Sequence, residues 1–282
     1  MSAEKLERLL NDLRTSRKGA AADQADDYDI RLASVTAALA DVPLLHGTAQ
    51  AHLPDIWDKQ CLDSRRTLNK QPLEHQICLD TYDAVYASVG VMYPQRQAAI
   101  AFASSIDEDP DLRVHGSPWD TGAFFKHVAP RLGLATDEAR LDFFQKHTLA
   151  APFYRQYLIA YVATCFACAR DYLQSAPYRH PDPEGVMSAM PGEILLRIFE
   201  IRVCPSLPLR PPGILAVFLA SPRFLTRAFR ERVEPALRST GIAIEYYGRP
   251  PSRSVKINPT PDDLRRFVTD WICKRTPREA GP

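Results

Sequence analysis

The stretch Met190-Pro191-Gly192-Glu193-Ile194-Leu195-Leu196-Arg197-Ile198-Phe199-Glu200-Ile201 decides how the rest of the chain is read, together with its continuation through Pro205, Leu207 and Pro208 to Phe218-Leu219-Ala220-Ser221-Pro222-Arg223-Phe224. Proline suits the first turn of a helix, where its missing N–H would have no partner, and Glu193 places negative charge near the positive end of the helix dipole. The pattern predicts a helix starting near Pro191. Ile194, Ile198 and Ile201 recur at i, i+4, i+7, and Leu195 and Phe199 form a second row beside them, so about half of the circumference is apolar. One neighbouring element does not normally cover so wide a face. Pro205, Pro208, Pro211 and Pro212 end any helix, and two further apolar helices are expected over 214–219 and 224–233.

Three short helices with a proline-broken first connection resemble an F-box, over about residues 190 to 232. Pro191, Glu193, Ile194, Leu195, Ile198 and Phe199 match the opening of that motif, and Phe218, Leu219, Ser221, Arg223 and Phe224 match its later stretch. Met190 stands where the family usually has leucine, and the segment 202–213 is longer and richer in proline than the family's first loop. The resemblance implies a substrate-recruiting adaptor of a cullin-type ubiquitin ligase, cellular or viral. Pro191, Glu193, Ile194, Leu195, Ile198, Phe199, Pro205, Leu207, Pro208 and Leu209 would then contact the bridging subunit, with an unknown target held elsewhere. A weaker resemblance to a SOCS-type box implies elongin C as the partner instead, although Arg210 interrupts the Leu-Pro-apolar run and the expected cysteine is missing.

Composition bounds the alternatives. A chain of 282 residues, 45% hydrophobic and 24% charged, is globular and long enough for one large or two small cores. Twelve glycines against twenty-four prolines disfavour a fold built on tight phosphate-binding turns. The net charge of +1 conceals a division, about +7 over residues 190–282 and about −6 over the remainder. Those charges read as solvated faces, so nucleic acid is not expected as a partner. Six scattered cysteines and a charged, amphipathic N-terminus without an apolar signal core point to reduced thiols in cytoplasm or nucleus. Cys165-Phe166-Ala167-Cys168 lies in an apolar run without further ligands, so core cysteines are expected there and not zinc. That run, 157–169, is too short to span a bilayer.

Along the chain, Leu6, Leu9, Leu10 and Leu13 define an amphipathic first helix, followed by a linker to residue 27. A helical body is expected over 28–176. Within it, 73–104 is read as two helices with Ile77, Tyr82, Val85, Val89 and Met92 inward, and 152–173 as a central helix. His46 and His52 fall in an expected loop, and the acidic turn at Asp107 to Asp111 lacks the ligand spacing of a calcium loop. Residues 177–188 form a proline-rich linker ahead of a C-terminal segment, 189–275. There a hairpin of 242–246 with 253–257 packs on a last helix, which Thr260, Pro261, Asp262 and Asp263 start.

The expectation is a mainly α protein: a helical bundle with a C-terminal F-box-like three-helix unit and a small hairpin plus helix. No nucleophile elbow, phosphate loop, zinc signature or dinucleotide fingerprint is present. The chain is therefore read as a non-catalytic adaptor with no catalytic, cofactor-binding or metal residue. The remaining alternatives are a regulatory helical protein without a ligase link and an enzyme whose site is assembled from distant residues.

Overall fold

The computed structural model describes residues 2–18, 28–176, 178, 197–210, 213–248 and 258–276. Its centre is an eight-stranded mixed sheet, which corrects the expected mainly α bundle with its small hairpin. In chain order the strands are β1 (Leu44–Thr48), β2 (Cys61–Asp63), β3 (Val85–Val89), β4 (Ala98–Phe102), β5 (Arg113–Ser117), β6 (Leu149–Ala150), β7 (Glu200–Cys204), β8 (Ser206–Pro208), β9 (Ile214–Ala220) and β10 (Ala243–Tyr247). The large sheet runs β10-β9-β4-β1-β3-β7-β5-β6, with only β9 and β10 parallel, and β2 pairs with β8 in a separate ribbon. Helices α1 (Ser2–Lys18), α2 (Tyr28–Leu39), α3 (Leu53–Lys59), α4 (Glu74–Cys78), α5 (Thr121–Ala123), α6 (Ala129–Arg131), α7 (Asp137–Lys146), α8 (Phe153–Cys165), α9 (Ala169–Leu173), α10 (Arg227–Ser239) and α11 (Pro261–Arg275) surround it.

The sheet explains the two largest departures from expectation. Ala98-Ala99-Ile100-Ala101-Phe102 is buried throughout, and Ile214 to Ala220 nearly so, because both strands have a neighbour on each side and packing on both faces. A short unbroken apolar run has the same composition in a buried helix and in a doubly covered strand, and periodicity cannot separate them. Val85 and Val89 belong to a strand, whereas Ile77, expected inward, is 66% exposed.

The F-box-like reading fails on the same ground. Glu200 to Cys204 is a strand between β3 and β5, and 214–220 is another. Ile198 and Phe199 are enclosed by the chain itself. The Phe199 ring packs on Tyr154 and Tyr157 of α8 with centroids 6.0 and 6.3 Å away. The approach is so close that a Cβ on Gly116 of β5 would stand 2.7 Å from Tyr154 Cγ and 2.9 Å from Phe199 Cε1, which reserves this position for glycine. Of the residues expected to recruit a partner, Leu207 and Leu209 are also buried, Pro208 is half-buried and Pro205 is exposed in the turn between β7 and β8. Pro191, Glu193, Ile194 and Leu195 lie outside the described residues.

Helices whose ends and stripes are clearly written do form. Thr260 accepts from the Asp263 N–H and Asp263 Oδ2 accepts from the Thr260 N–H, a capping box around Pro261 that starts α11. Leu6, Leu9 and Leu13 bury the stripe of α1, and α8 lies in the core. Ala243 to Tyr247 is a strand, paired with β9; its expected hairpin partner, 253–257, is outside the described residues. A second, smaller core gathers Trp119, Phe124, Val128 and Phe144, and Arg202 of β7 lies over its Phe144 ring.

Because Phe199 is a core residue, replacing it by alanine is expected to cost about 3–5 kcal/mol in denaturant unfolding, from lost burial and the cavity left behind. An exposed docking side chain would leave that stability unchanged.

Candidate active site

Strand β1 is bonded to β4 along all five residues, but to β3 only through Leu44 and Leu45, opposite Val89 and Ser88. From His46 onward the β1–β3 ladder stops and the sheet opens. The His46 ring spans the gap: its Nδ1 lies 2.8 Å from the Tyr86 carbonyl oxygen. A carbonyl only accepts, so Nδ1 carries the proton and Nε2 is left as an acceptor. Removal from water lowers the ring to about pKa 4, the Arg96 cation adds to the effect, and the Tyr86 hydrogen bond opposes it. His46 is therefore neutral at physiological pH.

Two strands away, Glu200 opens β7. Strand pairing sets Leu45, Ser88, Glu200 and Ser117 in one row across four strands, and the Glu200 side chain is almost wholly removed from solvent. Three hydrogen bonds from two connections hold its carboxyl. The Tyr93 hydroxyl, from the β3–β4 connection, donates to Oε2 at 3.0 Å. Thr121, at the start of α5, donates its backbone N–H to Oε2 at 3.2 Å and its hydroxyl to Oε1. Asp120, just before it, caps α5 by accepting from the Ala123 N–H at 2.7 Å. Burial raises Glu200 well above the ordinary carboxylate range, and the nearby Asp120 charge adds to this; the Arg202 cation and the Thr121 hydrogen bonds act the other way. Arg202, two residues along the strand, does not pair with it. Its Nη2 donates to Thr148 Oγ1 at 2.9 Å, and the guanidinium lies 4.6 Å from the Phe144 ring centroid.

Gly47 follows His46, and residues 90–97 pass over it. A Cβ on Gly47 would stand 2.5 Å from Arg96 Cγ and 2.6 Å from Met92 Cε. A cavity of about 520 Å³ opens beside the same strand, lined by His46 and Thr48, by His52, Asp55 and Ile56 near α3, and by Cys61, Asp63 and Lys70. Glu200 does not line it. The carboxyl is closed in beneath Tyr93 and Thr121, while His46 faces the cavity. Arg232 of α10 borders this space through its ion pair with Asp58.

None of the residues expected to bind a partner converges here; Phe199 and Ile201 merely flank Glu200. The residues that do converge were legible in part. Phe199-Glu200-Ile201-Arg202-Val203 alternates apolar and charged side chains, the period of a strand, and Leu44-Leu45-His46-Gly47-Thr48 places a histidine and a glycine directly after an apolar pair. Tyr93, Asp120 and Thr121 reach Glu200 only through the fold. Among the described residues, no group of three or more His, Cys, Asp or Glu side chains is placed to hold a metal ion, and no helix is long and apolar enough to cross a membrane.

No family model and no curated protein matches the chain. Similar solved structures include Thermus sp. 2.9 DarT in complex with NAD+, at 10% identity and a TM-score of 0.41, covering 73% of this chain and 94% of that one. DarT of the same organism in complex with ADP-ribosylated ssDNA matches at 11% identity and a TM-score of 0.41, over 73% and 93% of the two chains. Thermosipho africanus DarTG in complex with ADP-ribose matches at 12% identity and 0.36, over 73% and 50%. These chains are described with NAD+, ADP-ribose and ADP-ribosylated ssDNA. The ubiquitin-ligase adaptor, its partner assignments and the non-catalytic role tied to it are corrected, because the burial of Ile198, Phe199, Leu207 and Leu209 removes the surface on which the adaptor depended.

The lowered His46 pKa has a consequence for stability. The unfolded chain takes up a proton near the ordinary value of 6.5, the folded chain only near 4. Protons then favour the unfolded state between those values, and stability is lost as pH falls through this window. His46→Asn keeps a donor to the Tyr86 carbonyl without the titration. Its melting temperature is expected to fall less than the wild type's between about pH 7 and about pH 5, as measured by thermal unfolding.

Proposed function

We propose that this chain is an enzyme in which Glu200 is the reacting acid, acting on a ligand whose body occupies the cavity beside His46 and whose reacting end enters the opening between β1 and β3. The observation that supports this is the state of Glu200. It is a buried carboxyl held by neutral donors, with Asp120 nearby and the nearest arginine on its own strand turned to other partners. A carboxyl raised by burial gains most from a positive charge brought close to it. Such a site favours a substrate that carries positive charge or develops it as a leaving group departs. His46 Nε2 adds an acceptor for a ligand hydroxyl, and the face of Gly47 that lacks a Cβ is covered by the Met92 and Arg96 side chains.

NAD+, a dinucleotide with a cationic nicotinamide ring and the ligand of one matched Thermus chain, is the first probe to offer; the reading itself stands on Glu200. Group transfer from such a donor breaks the bond to the leaving group, which departs with the electron pair, and forms a bond from the same carbon to an acceptor nucleophile, water in the simplest case, with the carboxylate stabilising the cationic centre between the two. The six cysteines form no disulfide among the described residues, which suits a reducing compartment, cytoplasm or nucleus.

Glu200→Gln preserves the shape and the hydrogen bonds: its oxygen accepts from Tyr93 and from the Thr121 N–H, and its amide donates to the Thr121 hydroxyl. With NAD+ as donor, the wild type is expected to release nicotinamide and Glu200→Gln to do so roughly 100- to 1,000-fold more slowly at unchanged fold, read by chromatography and circular dichroism. Equal rates in the two proteins would remove Glu200 from the chemistry. Wild-type protein that neither binds nor consumes NAD+ would remove the dinucleotide donor.

A further inference from the structure

Residues 90–97 do two things at once. Met92 and Arg96 rest on Gly47, at the place where a ligand would have to approach the strand. Tyr93, between them, gives its hydroxyl to Glu200 Oε2. The segment is tied down at both ends: the Ser88 hydroxyl donates to the Val91 carbonyl at 2.5 Å, and the Tyr247 hydroxyl to the Gln97 carbonyl at 2.6 Å. Gly90 and Gln95, with φ of +69° and +62°, turn the chain within it. Whatever enters the opening must lift Met92 and Arg96, and that movement draws on the residue holding the carboxyl.

We propose that Tyr93 is a positioning residue through which the seating of residues 90–97 on Gly47 sets where the Glu200 carboxyl points and how readily it takes a proton. With the segment seated, Oε2 receives the Tyr93 hydroxyl and the Met92 and Arg96 side chains lie over Gly47 at the opening. With the segment lifted by a ligand, that hydrogen bond is lost and one oxygen of Glu200 is freed for the substrate. Seated and reactive states are thereby mutually exclusive, and the acid is exposed only when the site is filled. The charged and titratable groups around Glu200 are Asp120 from the β5–α5 connection, Arg202 on its own strand and Tyr86 on β3; Arg96 and Asp120 lie around Tyr93. None of these moves with the segment except Arg96, so the Tyr93 hydroxyl is the uncharged link between the two. The inference rests on the reading of Glu200 as the reacting acid.

The test is a carbon-13 NMR titration of glutamate carboxyls in the full chain, with the Glu200 signal assigned by its loss in Glu200→Gln. Tyr93→Phe removes one donor to the carboxylate and is expected to raise the Glu200 midpoint by about one pH unit. Gly47→Ala introduces a Cβ against Met92 and Arg96, unseats the segment without changing charge and is expected to raise the midpoint in the same direction. The double variant should move no further than the larger single change, because both act through one hydrogen bond. Should Gly47→Ala not fold, Met92→Ala unseats the segment from the other side. A midpoint unmoved by Tyr93→Phe, or moved by it but not by the unseating change, overturns the coupling. Since the readout is a titration and not turnover, a moved midpoint without nicotinamide release removes the proposed reaction and leaves the coupling, whereas nicotinamide release with an unmoved midpoint does the reverse.

Discussion

The rest of the molecule is arranged around the cost of keeping a carboxyl group at Glu200 out of water. An ionised carboxylate in such a place is unstable unless donors surround it, and a neutral one still needs its oxygens satisfied. Strand β7 supplies the acid but no donor for it. Those donors come from two connections remote in sequence, Tyr93 between β3 and β4 and Thr121 after β5, and they reach Glu200 only because β3 and β5 flank β7. The strand order and the network therefore depend on each other. Moving β7 by one residue in its pairing would turn Glu200 to the other face, into the aromatic packing that Phe199 makes with Tyr154 and Tyr157.

The same dependence explains the end of the β1–β3 ladder. A complete ladder would have joined His46 and the residues after it to β3 by backbone bonds and closed the sheet. Instead the His46 side chain takes a β3 carbonyl, and its neutral ring substitutes for a backbone donor without sealing the gap. The sheet is held together on one side of Leu45 and left open on the other, with a cavity against the open side. A break in a sheet exposes backbone groups that want partners, and such places suit ligands.

How much of this was legible in the sequence depends on which signal each segment carried. Helices α1 and α11 have local causes, a leucine stripe in one and a capping box with proline in the other, and both form where those causes lie. Strands β4 and β9 have none, because apolar residues on both faces erase the alternation that marks a half-buried strand. The decisive segment carries two periods together. Ile194, Ile198 and Ile201 fit a helix, whereas Phe199, Ile201 and Val203 against Glu200 and Arg202 fit a strand. The second wins because the buried polar residues find partners on β3, β5 and their connections, which a local pattern cannot show. For the same reason the sequence held no local pattern that joined Glu200 to Tyr93 and Thr121.

Whether Glu200 is kept for structure or for reaction turns on Arg202. A buried acid kept only to fix the fold is expected to use the cation two residues away on the same face, since breaking such a pair is costly and making it satisfies both partners. Arg202 instead bonds to Thr148, stacks on Phe144 and has its Nε buried without a partner, while Asp120 brings further negative charge toward Glu200. The arrangement leaves both the arginine and the acid short of their best partner. That is an expensive way to build a core; under the proposed reaction it holds a carboxyl ready for a positive charge arriving from outside, because the missing half of the ion pair would then be supplied by the substrate and be strongest where its charge develops.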